Sequence, residues 1–371
     1  LKDVAIVGGG LAGLISAIQL ADAGLEVVVI EQKEYPFHKV CGEYISNEVV
    51  PFLKSINCYP EHLNPVPISH FRLSDVKGQE VRMPLDLGGF GLSRYQLDNY
   101  LYQQGLGRGA EGMERTKVRA IEPSAEGFQL ELSGGKRMEA RLVLGAWGKR
   151  STTDKALERE FIEKRSDYIG VKYHIKASLP HDEVALHNYP GGYCGVVKIE
   201  GDCWNMCYLG SKEQLRHYGG IEEMEQNTLA KNPLLKRILQ EAEYIHDKPE
   251  VINEISFRPK PVVENGVLMA GDAAGLITPL CGNGMAMAIH GGKLLSDHIK
   301  LHWPLRKGSR DVLERSYARE WQRLFGNRLW VGRQTQKLFG NAAASGLAVK
   351  FLRNVKPAGR YLMQQTHGQP F

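Results

Sequence analysis

The sequence predicts an α/β fold in which a parallel-sheet domain is interrupted by an antiparallel one and followed by a helical segment. Three observations carry that prediction. Residues 4–30 read as strand, glycine-rich turn, helix and strand; residues 71–83 and 168–209 alternate apolar and polar side chains with the period of strands; and residues 266–300 return to a buried strand and a long helix. With 371 residues, 43% hydrophobic and 24% charged, the chain is long enough for about two domains.

In order along the chain, residues 4–7 are β-branched, residues 14–23 are helical and end at Gly24, and residues 25–30 form a second apolar strand. A hairpin over 71–83 turns at Lys77-Gly78, and Ser93-Arg94-Tyr95-Gln96 opens a helix through Gln104. Three strands at 116–122, 128–132 and 138–144 make a meander, and about four more follow between Tyr168 and Leu209. Helices are expected over 221–230, 233–243 and 284–300. Because the chain leaves the first domain and returns to finish it, that domain takes 1–70, 92–165 and 258–300. The inserted domain takes 71–91 and 166–257, and the helical segment 301–371.

Gly8-Gly9-Gly10-Leu11-Ala12-Gly13 supplies G-x-G-x-x-G between strand and helix, and Glu31 closes the next strand. Gly8 permits the tight turn, Gly10 lets the backbone approach a pyrophosphate, and Gly13 brings helix against strand. The helix N-terminus offers N–H groups to the negative charge, and Glu31 is placed to accept hydrogen bonds from an adenosine ribose. This is a Rossmann-type dinucleotide site. Residues 266–292 point to FAD rather than NAD, because ribityl hydroxyls reaching across the sheet need a distant acceptor, and Asp272 stands at such a strand end. Gly282-Asn283-Gly284-Met285 opens a further helix whose positive end suits an anionic reduced ring.

On these pieces, together with Lys39-Val40-Cys41-Gly42-Glu43 and Ser93-Arg94-Tyr95-Gln96-Leu97-Asp98, the chain resembles the para-hydroxybenzoate hydroxylase-like flavoproteins over residues 3–300. Within them it resembles the geranylgeranyl reductases and related FAD-dependent dehydrogenases. The resemblance also takes in Pro279-Leu280-Cys281 before Gly282. It implies that Ala12, Glu31, Arg94 and Val118 hold the adenylate and pyrophosphate side. It implies likewise that Cys41, Gly42, Asp272, Gly282, Gly284 and Met285 hold the flavin side. Trp147 in Gly145-Ala146-Trp147-Gly148 replaces the acid of the hydroxylases' Ala-Asp-Gly triplet, which weighs against a hydroxylase. The middle region carries Tyr189-Pro190-Gly191-Gly192-Tyr193 where geranylgeranyl reductases have an aromatic-Pro signature, so the prenyl substrate does not transfer. The Trp-x-Trp-x-Ile-Pro motif of flavin-dependent halogenases is absent.

For proton handling the candidates are Cys41, Tyr173, His187 and Tyr193; each is also a packing or turn residue on the bland reading. Strand alternation points Tyr173 inward and sends His174 to solvent, so His174 is not selected. Six scattered cysteines without a CxxC pair argue against a zinc or iron–sulfur site, and no metal is expected. No second G-x-G-x-x-G follows a strand, so reducing equivalents are expected from transiently bound NAD(P)H or a protein donor.

The formal charge is +5, yet residues 300–371 hold 14 Lys+Arg against 3 Asp+Glu, leaving 33 against 39 for the rest. Trp321, Leu324, Phe325 and Arg328 give that tail an apolar stripe edged by cations, continued by Trp330, Leu338, Phe339, Leu347 and Phe351. Two readings stand: helices packed on the FAD domain, or a membrane-surface contact admitting a lipid substrate. Residues 2–30 do not read as a signal peptide, and no eighteen-residue apolar run occurs, so a cytoplasmic or peripheral location is expected. Nucleic-acid binding has no motif behind it. The functional reading is an FAD-dependent reductase or dehydrogenase acting on an unsaturated, largely apolar or lipid-like small molecule. An NAD(P)H-dependent aromatic monooxygenase and a non-catalytic prenyl-protein binder are the alternatives.

Overall fold

Two sheets organise the chain in the computed structural model, which describes residues 1–163, 166–253, 255–278, 282–306, 308–336, 342–354 and 368–371. In the first, Lys2–Val7 lies parallel to Val27–Ile30 on one side and to Arg137–Gly145 on the other. The strand order reverses there, so the crevice beyond the carboxyl ends of these strands is where such a fold receives a ligand. Val267–Met269 extends the sheet beside Arg137–Gly145, and the pair Val118–Ser124 and Gly127–Leu132 folds onto its other end. Strands buried on both faces explain why 4–7 and 27–30 read as unbroken apolar runs.

Helices Leu11–Asp22 and Gly284–His302 pack closely across this sheet. A side chain at Gly292 would sit 2.6 Å from the Ala12 carbonyl oxygen, and Ser16 Oγ donates to the Gly292 carbonyl at 3.3 Å. Glycine at 292 therefore lets the two helix N-termini open onto one crevice.

The second sheet is antiparallel apart from one parallel pairing, with nine strands; it runs from Glu243–Tyr244 through Tyr168–Lys176, Cys203–Ser211, Gly192–Ile199 and Glu183–Tyr189 to the hairpin Val66–Ser74 and Glu80–Gly91. Tyr44–Ser46 adds an edge strand, so this sheet also takes residues from within 1–70. Its register sorts side chains by the period of two. Lys172, His174, Asn205, Cys207 and Tyr193 share the face turned toward the first domain, since Lys172 pairs with Cys207, His174 with Asn205 and Tyr193 with Leu209. Val171, Tyr173, Met206, Tyr208 and His187 occupy the other face, under helices Ile221–Asn227 and Pro233–Glu241.

The C-terminal helix Ser309–Gln336 buries Leu313, Tyr317, Trp321, Phe325 and Leu329, a stripe spaced by four. Each such side chain contributes about 1.5–3 kcal/mol on burial, and Tyr317 Oη also donates to the Met269 carbonyl at 2.6 Å. Trp321 and Phe325 are thus spent on packing against the first domain. Trp330, Leu347 and Phe351 stay exposed. Pro279-Leu280-Cys281, Leu338 and Phe339 lie outside the described residues. No described helix is long and apolar enough to cross a membrane.

Candidate active site

At the nucleotide end the glycines do what only glycine permits. Gly8 has φ +105°, and a side chain there would meet the Ala146 carbonyl oxygen at 2.5 Å. One at Gly13 would land on the Gly8 carbonyl oxygen. A side chain at Gly10 would instead lie at ordinary contact distance from Arg94 Nη2 at 3.8 Å, Lys39 Nζ at 3.9 Å and the Ala146 carbonyl oxygen at 3.9 Å, so two cations border the space beside this turn. Gly10 also N-caps the first helix without a side-chain capping bond, so the first-turn N–H groups, Ala12 among them, point into that space. An opening bounded by an uncapped helix terminus and two cations fits a pyrophosphate. Asp98 keeps the cations in place, binding Arg94 at 2.6 and 2.7 Å and Lys39 at 3.0 Å. Burial would raise the Asp98 carboxyl, but Arg94 and Lys39 hold it below the usual range.

Glu31 accepts from the Gly9 N–H at 2.9 Å and the Lys33 N–H at 3.0 Å, which fixes its carboxylate at the rim. A carboxylate has about four acceptor positions, so room for ribose hydroxyls remains. Thr116 N donates to the Glu31 carbonyl at 2.9 Å and brings Val118 to the same end.

Across the crevice, Asp272 sits in the turn Gly271–Ala273, where Gly271 adopts φ +62° against Ala12. Lys260 anchors that turn, its Nζ donating to the carbonyls of Asp272 at 2.9 Å and Lys149 at 2.8 Å. Burial pushes the Lys260 ammonium down to about 8. Gly282 has φ +61° against the Tyr44 ring, and Gly284-Met285 opens the long helix, whose N-cap Asn283 makes no side-chain capping bond. Trp147, at the hydroxylase acid's position, donates from Nε1 to Asp154 at 2.9 Å. Asp154 is buried and already bound by Arg159 at 2.9 Å, so the nearby acid is committed to structure.

Between these ends lies the segment Cys41-Gly42-Glu43. Cys41 is half-buried and its carbonyl accepts from Asn205 Nδ2 at 3.1 Å; a side chain at Gly42 would meet open space. Glu43, at φ +54° and fully buried, accepts from Lys172 Nζ at 2.6 Å, His174 Nε2 at 2.7 Å and the Arg94 N–H at 2.8 Å. Burial would raise this carboxyl, and Lys172 with His174 holds it below the usual range. The expectation that His174 faces solvent is overturned: it is 8% exposed. Alternation placed Lys172 and His174 together on one face, as observed, but that face is covered by the first domain, where Glu43 accepts from both.

The four residues considered for proton handling are divided by the sheet. Cys41 and Tyr193 lie on the side of the first domain, with Tyr193 Oη donating to Gln336 at 3.3 Å. Tyr173 and His187 are on the helix-covered face. Tyr173 Oη donates to Glu225 at 2.9 Å, and His187 shares a 2.9 Å hydrogen bond with Ser74. Burial, with Arg72 nearby, pushes the His187 imidazole down to about 4. Sequence reasoning gave no role to Lys39, Asp98, Glu43, Lys172 or His174. The signal for Lys39, Asp98 and Glu43 was their place inside the two quoted motifs.

A family described as FAD binding domain matches residues 2–324. The chain belongs to that family. It is an FAD-dependent oxidoreductase. Geranylgeranyl diphosphate reductase of Rhodobacter capsulatus is 26% identical over 309 residues, covering 80% of this chain and 74% of that protein. Menaquinone reductase of Mycobacterium tuberculosis is 24% identical over 380 residues, covering 98% and 88%. Among solved structures, the flavin-dependent brominase Bmp2 superposes with a TM-score of 0.78 at 16% identity, covering 98% of this chain and 93% of the other. That last likeness is one of fold alone.

Proposed function

We propose that this FAD-dependent oxidoreductase reduces a carbon–carbon double bond in an unsaturated, largely apolar small molecule of prenyl-lipid or quinone type, a class that the names of its relatives support although Tyr189-Pro190-Gly191-Gly192-Tyr193 departs from the geranylgeranyl reductases' signature. The observation that carries the reading is the apolar cluster against the second sheet. Leu186, Tyr193 and Leu209 pack there with Leu276, four residues after Asp272, and with Val349 and Leu352 of the helix Ala342–Asn354. These side chains are buried against one another, so the segment after Asp272 ends in packed apolar side chains rather than in charge, which suits a hydrocarbon more than a polar substrate. The names of the two reductase relatives agree with it, and the commitment of Asp154 to Arg159 and Trp147 removes the acid a hydroxylase would use there.

FAD supplies the hydride chemistry when bound. Lys39, Arg94 and the N–H groups after Gly10 neutralise its pyrophosphate. Asp272 accepts from the ribityl chain, and the helix N-terminus at Gly284-Met285 favours negative charge on the ring side. Cys41 or Tyr193 delivers the accompanying proton to carbon, and transiently bound NAD(P)H provides the reducing equivalents. The exposed Trp330, Leu347 and Phe351, beside Arg333, Lys350 and Arg353, rest on a membrane surface from which the substrate enters.

Product analysis tests this reading. Enzyme, NADPH and a polyprenyl or prenylquinone substrate are incubated under isotopically heavy oxygen. A product that gains hydrogen and no heavy oxygen supports reduction, whereas incorporation of that oxygen overturns it.

A further inference from the structure

A second group of chemistry-bearing side chains lies outside the residues assigned above to FAD. His38, His174 and His246 converge from three separate segments, with ring centroids 5.2 Å apart for His38 and His174, 5.1 Å for His38 and His246, and 6.3 Å for His174 and His246. One ring nitrogen from each lies within 4.8 Å of the others. They line a cavity of about 360 Å³ together with Lys172, Tyr173, Asp247, Lys248 and Glu250.

We propose that His38, His174 and His246 form a binding site for a divalent transition metal of the zinc type. Three imidazoles with a vacant fourth position are the donor set of zinc sites that keep a water, and imidazole nitrogen selects zinc, cobalt, nickel or copper over magnesium or calcium. Zn–N bonds of about 2.0–2.1 Å place tetrahedral ligand nitrogens roughly 3.4 Å apart, so the rings close inward by about an ångström as the ion binds. His246 is exposed and can make that movement.

Two of the three rings are held by neighbours. His174 gives Nε2 to Glu43 at 2.7 Å, leaving Nδ1 for the ion; a metal-ligating histidine characteristically donates its other nitrogen to a carboxylate, and this carboxylate is fully buried and fixed by Lys172. His38 stacks on Tyr95 at 4.6 Å, and the next carbonyl, that of Lys39, accepts from Lys172 Nζ at 3.2 Å. His246 follows Ile245, whose N–H donates to the His174 carbonyl at 3.0 Å. The bound ion therefore ties the segment carrying Cys41-Gly42 to the strand Tyr168–Lys176 and to the loop after Glu243–Tyr244.

The test uses the intact protein, freed of metal by a chelator and titrated with Co2+ while the visible d–d bands are recorded. One Co2+ per chain is expected, displaced by Zn2+ with loss of those bands. His246→Ala, at an exposed position, should weaken binding at least tenfold with an unchanged circular dichroism spectrum. His38→Ala should do the same, and the exposed His217→Ala should bind as the parent does. A parent protein that takes up no Co2+ in stoichiometric amount overturns the site, as does an affinity equal to the parent's in His246→Ala or His38→Ala.

Discussion

Around Gly10 the crevice is made of backbone: an uncapped helix terminus and glycines whose side chains would collide, drawn from six consecutive residues and tuned by two cations on Asp98. Around Glu43 it is made of buried charge, a carboxylate without solvent contact that holds Lys172 and His174 across 129 and 131 positions of sequence. The first kind of site tolerates loss of any single side chain, because most of its donors are N–H groups. The second does not, since removing one partner leaves the others charged and dry.

That contrast predicts the order of mutational damage. Glu43→Gln keeps the shape and strands the Lys172 ammonium, so it should cost about 3–5 kcal/mol of stability by urea denaturation. A cost under about 1 kcal/mol would mean that water reaches Lys172 and the contrast is false.

Lys260 gives the next effect, through pH. Its folded value of about 8 lies below the ordinary 10.5, so between those values the unfolded chain binds the extra proton. Stability must then rise with pH across that window, and below about 8 the full penalty of roughly 3 kcal/mol applies. The difference in unfolding free energy between parent and Lys260→Met should stay level below about pH 8 and shift by roughly 3 kcal/mol in the parent's favour as pH rises from about 8 to 10.5. A pH-independent difference would place the ammonium in water.

At the flavin side Asp272→Ala removes a charged acceptor and should weaken FAD retention by about 1.5–3 kcal/mol, read as flavin per chain after gel filtration. Full retention would remove Asp272 from the site. Glu31→Gln should be mildest, about 1 kcal/mol, because Gly9 and Lys33 keep a neutral acceptor. Its flavin potential should stay at the parent value, and a large shift would contradict its place at the adenosine end.

The backbone-built half of this comparison was legible in the sequence. Gly8, Gly10 and Gly13 stand within one turn, Glu31 ends the following strand, and the strands at 267–269 and, over its last residues 142–145, at 137–145 announce themselves by apolar runs. The charge-built half was not. Alternation over Tyr168–Lys176 fixed which side chains share a face, but no local pattern tells that the Lys172-His174 face meets Glu43 rather than water. Tyr173 and His187 were drawn toward the chemistry by residue type, and only the register with Met206 and Cys194 shows that helices cover them. The tail's stripe was visible, while its docking through Tyr317 to Met269 depended on a strand 48 residues away.

The central claim is that hydride passes from reduced enzyme to carbon without oxygen. Anaerobic mixing of the stoichiometrically reduced protein with a polyprenyl or prenylquinone substrate, followed by the return of oxidised-flavin absorbance, measures that step directly. One saturated carbon–carbon bond per flavin reoxidised is the predicted result. Flavin that stays reduced with every such substrate and reoxidises only on admission of oxygen, with hydroxylated product, would contradict it.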